Sequence, residues 1–347
     1  MNKVVPRIRI ATHAAQEAYA LAAIRNGQLA RGPHIEQLEE QLRERFGRRH
    51  AILTNNGFAA LFATLQALGR PAGEFIHTVV ASTCFAMVNA IKAAGHKVEF
   101  VDLEAKSMSM KNTGGSSGDL GRVHIVPDHF GHVATLIGQR ENPADIFIED
   151  AAQAFFSRTR VRSTSDVLVL SFYPTKWVSG IDGGAILTDN TALFEVLKRT
   201  ISYIDQVHEE PIPRFNLGMS NLHAAYALGT LEVLEEITER LQERFAILAD
   251  IATRNGLKVS APTPGEVPSR FIITCEEMAT RDCLLDTLNA RSIGASRELV
   301  WLCADDLRSR FPVAADLINR TLSLPFHPYL TQDEMNCIER ALEATCC

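Results

Sequence analysis

The stretch IEDAAQAFFSRTRVRSTSDVLVLSFYPTKWVSGIDGGAILTD (residues 148–189) decides the fold. Its first letters close a short apolar run, 146–149, and two more runs of strand length follow at 167–172 and 184–188. Upstream, 50–53, 75–80, 97–101 and 122–126 read as strands. Helical stretches lie between them, one at 58–68 and one ending near Ile91. Strands that alternate with helices need crossover connections, which predicts an α/β fold with a mostly parallel sheet covered on both faces.

The pattern changes after residue 218. From 221 to 255 the spacing is that of one long helix, with Leu231, Leu234, Ile237, Leu241, Phe245 and Leu248 on a single apolar stripe. Glu236 and Arg240, four apart, support the solvent face. Pro262, Pro264, Gly265 and Pro268 then break the chain, and a strand at 271–274, a helix at 281–291 and a last helix beyond Pro328 follow. This predicts a large domain over 1–220 and a smaller C-terminal α+β domain over 221–347, entered through the long helix. Gly114–Gly118 (GGSSG) reads as a surface loop.

Composition sets the outer limits. With 347 residues, 46% hydrophobic and 22% charged, the chain suits an ordinary globular protein and excludes disordered, collagen-like and rod-like classes. A formal net charge of -6 argues against nucleic-acid binding through bulk positive charge. No run of eighteen apolar residues predicts a membrane span, and Arg7, Arg9 and Glu17 interrupt the start, so no signal peptide is read there. Seven scattered cysteines without a CxxC pair suit a reducing cytoplasm and argue against a disulfide framework or a zinc cage.

The chemistry concentrates in the stretch quoted first. Asp150 follows one strand and Lys176 another, 26 residues apart in sequence. Loops at the carboxyl ends of parallel strands form the ligand crevice, so an acid and an amine are brought to one sheet edge. Taken singly, a lysine in a turn is usually a solvated charge and an aspartate after a strand is often a helix cap. Together they match the needs of pyridoxal phosphate. Its aldehyde forms a Schiff base with a lysine amine, and its ring nitrogen stays protonated beside an anion. Gly57 opens a helix straight after a strand and turn, where free N–H groups and the helix dipole attract a phosphate. Ser171, five residues before Lys176, can donate a hydroxyl to the same phosphate.

The phrases TNNGFAAL (54–61), IEDAAQA (148–154), SFYPTK (171–176), DGGAILTD (182–189) and MSNLHAA (219–225) carry a family resemblance. So do the flanking segments NGQLARGPHIEQLEEQL (26–42) and LSLPFHPYLTQDE (322–334). The chain resembles the DegT/StrS sugar aminotransferases, within the fold type I, aspartate aminotransferase-like pyridoxal phosphate enzymes. The resemblance implies that Lys176 is the Schiff-base lysine, Asp150 the partner of the pyridine nitrogen, and Gln153 a neighbour of the phenolic oxygen. It further implies Ser171, Gly57 and Phe58 around the phosphate. Asn216 would reach that phosphate from the other subunit of a homodimer.

The sequence departs from the family in places. Phe58 stands where threonine is usual, so one hydroxyl contact is lost while the backbone N–H stays. The ring-stacking position falls on Cys84, with Phe85 next to it. Gly218 stands where a basic residue is common, and the small domain's substrate histidine segment is not recognisable at 298–305. The implied activity is transfer of an amino group from an amino acid, glutamate by analogy, to a nucleotide-linked keto sugar. The products would be amino sugars for cell-surface polysaccharide or a secondary metabolite. The rival readings are a cofactor-binding scaffold or regulator without turnover, and another fold type I reaction such as an amino-acid lyase. His124, Asp128, His129 and His132 have metal-like spacing but read as polar loop residues, so no metal is predicted. Trp177, directly after the lysine, lines the pocket or packs beneath it.

Overall fold

The computed structural model describes residues 4–112, 121–136, 140–209 and 213–344. The GGSSG segment and the terminal Cys346–Cys347 pair lie outside the described residues. The chain opens with α1 (Ala14–Arg25), α2 (Pro33–Phe46), β1 (His50–Thr54), α3 (Gly57–Ala67), β2 (Phe75–Val79), β3 (Ala81–Ser82), α4 (Ala86–Ala93) and β4 (Lys97–Val101). Next come β5 (Val123–Pro127), β6 (Ile146–Asp150), α5 (Phe155–Arg160), β7 (Val167–Ser171), β8 (Gly184–Thr188) and α6 (Thr191–Thr200). The remainder holds α7 (Asn221–Glu232), α8 (Leu234–Arg254), β9 (Lys258–Val259), β10 (Phe271–Thr274), α9 (Met278–Ala290), β11 (Val300–Trp301), α10 (Pro312–Arg320), β12 (Thr321–Leu324) and α11 (Gln332–Glu343).

Seven strands form one sheet in the order β1-β8-β7-β6-β5-β2-β4. Only β8 is antiparallel to its neighbours; every pair from β7 to β4 is parallel. The seven strands read from sequence are all present, and the expected mostly parallel sheet flanked by helices is the observed architecture. Both faces are covered, which explains why β5 (VHIVP) and β8 (GAILT) are buried at every position instead of alternating.

A second, antiparallel sheet, β12-β10-β9, packs against α8 and α9, and α11 packs on both of these helices. Of its strands only β10 was legible from sequence, because β9 has two residues and β12 follows α10 without a turn signal. The long helix expected over 221–255 is instead two, α7 and α8, parted at Val233 (φ -105°, ψ 14°). The break has a packing cause. α7 lies on α1 and α2, and Gly229 brings it so near that a Cβ there would sit 2.5 Å from Gln16. α8 turns away to cover β9 and α11. The predicted apolar stripe is buried on both sides of the break.

Two short segments tie the C-terminal elements to the large sheet. The N-terminal strap bonds to them through Val5 N–H to Ser292 O (3.0 Å), Gly294 N–H to Val5 O (2.8 Å) and Phe326 N–H to Arg7 O (3.1 Å). β11 pairs with β3, directly ahead of Thr83 and Cys84. No helix among the described residues is long and apolar enough to cross a membrane.

Candidate active site

The carboxyl ends of β1, β6 and β7 and the start of β8 meet at one edge of the sheet. A cleft of about 470 Å³ opens there. Gly57, Phe58, Cys84, Asp150, Gln153, Ser171 and Lys176, all singled out from sequence, line it.

The α3 end of the cleft is built for an anion. Asn56 caps the helix by accepting from Ala59 N–H (2.8 Å), while the N–H groups of the first turn have no earlier carbonyl to bond. Gly57 sits hard against Ser171: a Cβ on it would come within 3.0 Å of the serine Cβ and 3.4 Å of its hydroxyl. Gly184, which pairs with Ser171 across the sheet, faces Asn56 and Gly57 backbone at 2.7–2.9 Å from where its own Cβ would be. The two glycines bring the helix start, the serine hydroxyl and the sheet edge into one cradle that side chains would fill.

Lys176 follows β7 through a turn closed by its N–H to Tyr173 O (2.8 Å). Burial lowers the affinity of its amine for a proton, the Arg270 charge lowers it further, and Asp150 opposes both. Asp150 ends β6. Burial raises its carboxyl above the usual range, against the Ala152 N–H that it accepts (3.1 Å) and the Lys176 charge. An amine kept easy to deprotonate and a carboxyl kept hard to ionise share one cavity, a pattern typical of reactive groups.

Gln153 crosses the cleft floor. Its carbonyl accepts from Phe130 N–H (2.9 Å) and its amide donates to Thr83 Oγ1 (2.8 Å). Phe130 holds a left-handed φ of 59°, a strained conformation for a side chain of this size, and the Gln153 bond helps to fix it. His129 lies behind this turn, fully enclosed. One ring nitrogen bonds Met108 O (2.6 Å) and the other Ser82 Oγ (2.7 Å), so the first donates and the second accepts from the serine hydroxyl. Burial brings its pKa down to about 4.

Some expected residues lie elsewhere. Phe85 precedes α4 with its ring 47% exposed and does not line the cleft, whereas Cys84 does. Asn216 is exposed and outside the cleft of its own chain, on the segment where Gly218 bridges to Thr54. Trp177 is partly buried and packs on the core, beside a cavity of about 20 Å³ behind Lys176. The four residues with metal-like spacing go separate ways. His124 stacks on Phe147, Asp128 pairs with Arg158, and His132 bonds Glu266 and Ser260. Among the described residues no cluster could hold a metal ion.

Sequence reasoning missed Arg7, Thr83, Arg270 and Glu298, which also line the cleft. The two arginines and the glutamate come from the N-terminal strap, the residue before β10 and the segment before β11. No spacing in the chain announces that they meet.

The cleft's amine, its acid and its phosphate-sized cradle fit a pyridoxal phosphate. Comparison with known proteins agrees. The model of the DegT/DnrJ/EryC1/StrS aminotransferase family matches residues 11–114 and 126–343. The chain is 28% identical over 330 residues to GDP-perosamine synthase of Escherichia coli O157:H7, covering 88% of each chain. Its fold is that of Helicobacter pylori PseC, an aminotransferase involved in the biosynthesis of pseudoaminic acid. The TM-score is 0.88 at 18% identity, over 99% of both chains. It is also that of the pyridoxal phosphate form of the putative sugar aminotransferase Spr1654 from Streptococcus pneumoniae. There the TM-score is 0.83 at 16% identity, over 99% of this chain and 98% of that one.

Proposed function

The chain belongs to the DegT/DnrJ/EryC1/StrS aminotransferase family, and from that premise we propose that it moves an amino group from an amino acid to a nucleotide-linked keto sugar, with pyridoxal phosphate as cofactor. The observation that carries this reading is the convergence of Lys176, Asp150 and the Gly57–Ser171 cradle on one cleft. When bound, the cofactor supplies an aldehyde for the amine and a ring that draws electrons from the donor's Cα.

The protein's own residues then have distinct tasks. The first-turn N–H groups of α3 and the Ser171 hydroxyl would hold the phosphate. Asp150 would hold a proton on the ring nitrogen and so keep the ring cationic. Gln153, pinned between Phe130 and Thr83, would lie beside the phenolic oxygen. Cys84, on the cleft wall, would pack against the ring. Lys176 Nζ takes the proton from the donor's Cα, which requires its neutral form; burial and the Arg270 charge both favour that form. The exposed position of Asn216 supports a homodimer in which this side chain serves the partner's cleft. The division into units over 1–220 and 221–347 is part of the same reading.

The test is a half-reaction. L-Glutamate added to the purified protein should convert the cofactor's aldehyde absorbance to that of its amine form, and a nucleotide keto sugar should restore it. A protein that keeps its cofactor but shows no spectral change with a panel of amino donors would falsify the transfer reading.

A further inference from the structure

A transaminase cleft must take two unlike molecules in turn, a charged amino acid and a sugar. The wall that carries Arg270 bears directly on how this one does so. Arg270 is 8% exposed and lines the cleft. Its Nη1 donates to Ser269 O (2.7 Å), and its enclosed Nε has no hydrogen-bond partner among the described residues. Its one carboxylate neighbour is Glu298, 4.0 Å away at Oε2, beyond hydrogen-bond reach. Glu298 is itself engaged elsewhere. Its Oε1 accepts from Arg7 Nη1 and from Ser296 Oγ (3.0 Å). Two guanidinium groups therefore share one carboxylate at the cleft wall, and the more buried of them holds it less well. Burying an arginine with its bonds unmade is costly, and a wall with a surplus cation suits an anionic ligand.

We propose that Arg270 anchors the carboxylate of the amino-acid donor, and that Glu298, held by Arg7 and Ser296, stands in for that carboxylate when the donor is absent. The stand-in explains the geometry on the page. A donor carboxylate can come within bonding distance of the guanidinium, which Glu298, 4.0 Å away, does not. When the sugar enters instead, Glu298 still offsets the charge, so the cleft need not bury a naked cation. Arg270 also keeps the Lys176 amine in its neutral form, and a bound carboxylate weakens that effect by partly neutralising the guanidinium.

This inference rests on the aminotransferase reading, and the experiment separates the two. Glutarate has the carboxylates of glutamate without its amine, so it binds without reacting; n-butylamine has the amine without a carboxylate. Glutarate binding to the holoenzyme is measured by calorimetry, and L-glutamate and n-butylamine by the concentration dependence of the cofactor's spectral change. Arg270→Gln should weaken glutarate and L-glutamate by about 10–100-fold, the loss of one charge-assisted bond, and change n-butylamine far less, only through the charge removed from beside Lys176. Arg270→Lys should recover part of that loss. Glu298→Gln removes the competing carboxylate and should tighten both acids several-fold, an opposite sign that misfolding does not produce. Equal glutarate affinity in wild type and Arg270→Gln overturns the proposal. So does an equal loss for n-butylamine, or a loss confined to an acidic keto sugar with donor affinity unchanged. A wild-type protein that glutamate leaves spectrally unchanged, yet whose glutarate binding depends on Arg270, sinks the transfer reading and supports the anchor.

Discussion

Glu149 and Asp150 are neighbours at the end of β6, and the pleat sends their carboxylates to opposite sides. Glu149 is wholly buried and bonded to Arg158 and Ser163. Arg158 in turn grips Asp128 at 2.7 Å and 3.2 Å. Asp150 accepts a single backbone N–H at 3.1 Å and makes no ion-pair contact with Lys176, whose charge it nevertheless feels. One acid has a partner at each oxygen, Arg158 at Oε1 and Ser163 at Oε2, and the other is left wanting. The partnered set closes β5, β6 and α5 into one unit; the other acid faces the cleft. A buried charge gripped by an opposite charge is part of the scaffold, and one with bonds to spare is available for chemistry.

The largest effect expected on the cleft side is that of Lys176→Ala. Turnover should fall by at least about 10³-fold, the scale of a lost general base, while the melting temperature of the cofactor-free protein stays or rises because a poorly solvated amine is gone. Borohydride reduction followed by peptide mapping should label the 171–189 region in wild type only. The acids themselves supply the crossing test. Asp150→Asn should cost about 10²–10⁴-fold in kcat/KM with little change in stability. Glu149→Gln should cost about 3 kcal/mol of stability, read from denaturant melts, with near-normal turnover per folded molecule. If both variants lose activity alike and stability alike, the contrast between the two acids is wrong.

That contrast was only half legible in the sequence. The cleft members announced themselves because each lies at or just past a strand end: Asp150 closes β6, Ser171 closes β7 with Lys176 beyond it, and Gly57 follows β1. Local spacing fixes such positions. Glu149 carried no signal, since its partners Arg158 and Ser163 lie on α5 and the loop after it, and only their burial shows what they do. Arg7, Arg270 and Glu298 were invisible for a stronger reason: they meet only once the strap, β10 and the segment before β11 are folded together. The break at Val233 was hidden because the apolar stripe continues through it at helical spacing, while the surfaces that cover the stripe change.

Acid should separate the two kinds of group again. His129 is neutral in the fold and takes a proton there only near pH 4, whereas the unfolded chain takes it near 6.5. The unfolded state therefore binds more protons between those values, and stability falls as pH drops from about 6.5 to 4, by roughly 3 kcal/mol from this residue. Above 6.5 it contributes no slope. Melts of wild type and His129→Gln across pH 4–7 should show the slope flattened in the variant. A slope that persists undiminished would assign the acid sensitivity to other groups.

The smallest effect probes the cradle itself. Phe58 lines the cleft at the second position of α3, where its ring stacks parallel to Phe62 at 6.3 Å (interplanar angle 2°), and Phe62 meets Phe215 edge-on at 5.0 Å. The backbone N–H of Phe58, in the first turn of α3, is open to an anion, but its side chain has no donor to offer there. Phe58→Thr adds a hydroxyl to a site already supplied by backbone and Ser171, and gives up one aromatic contact. One new hydrogen bond to a charged group outweighs one half-exposed stack, so cofactor retention on dialysis should improve by about 2–10-fold. Looser retention in this variant would mean that the Phe58–Phe62–Phe215 cluster, and not bonding capacity, holds the helix start in place. The cleft wall would then owe its shape to contacts among the protein's own side chains, as the Glu149 side does.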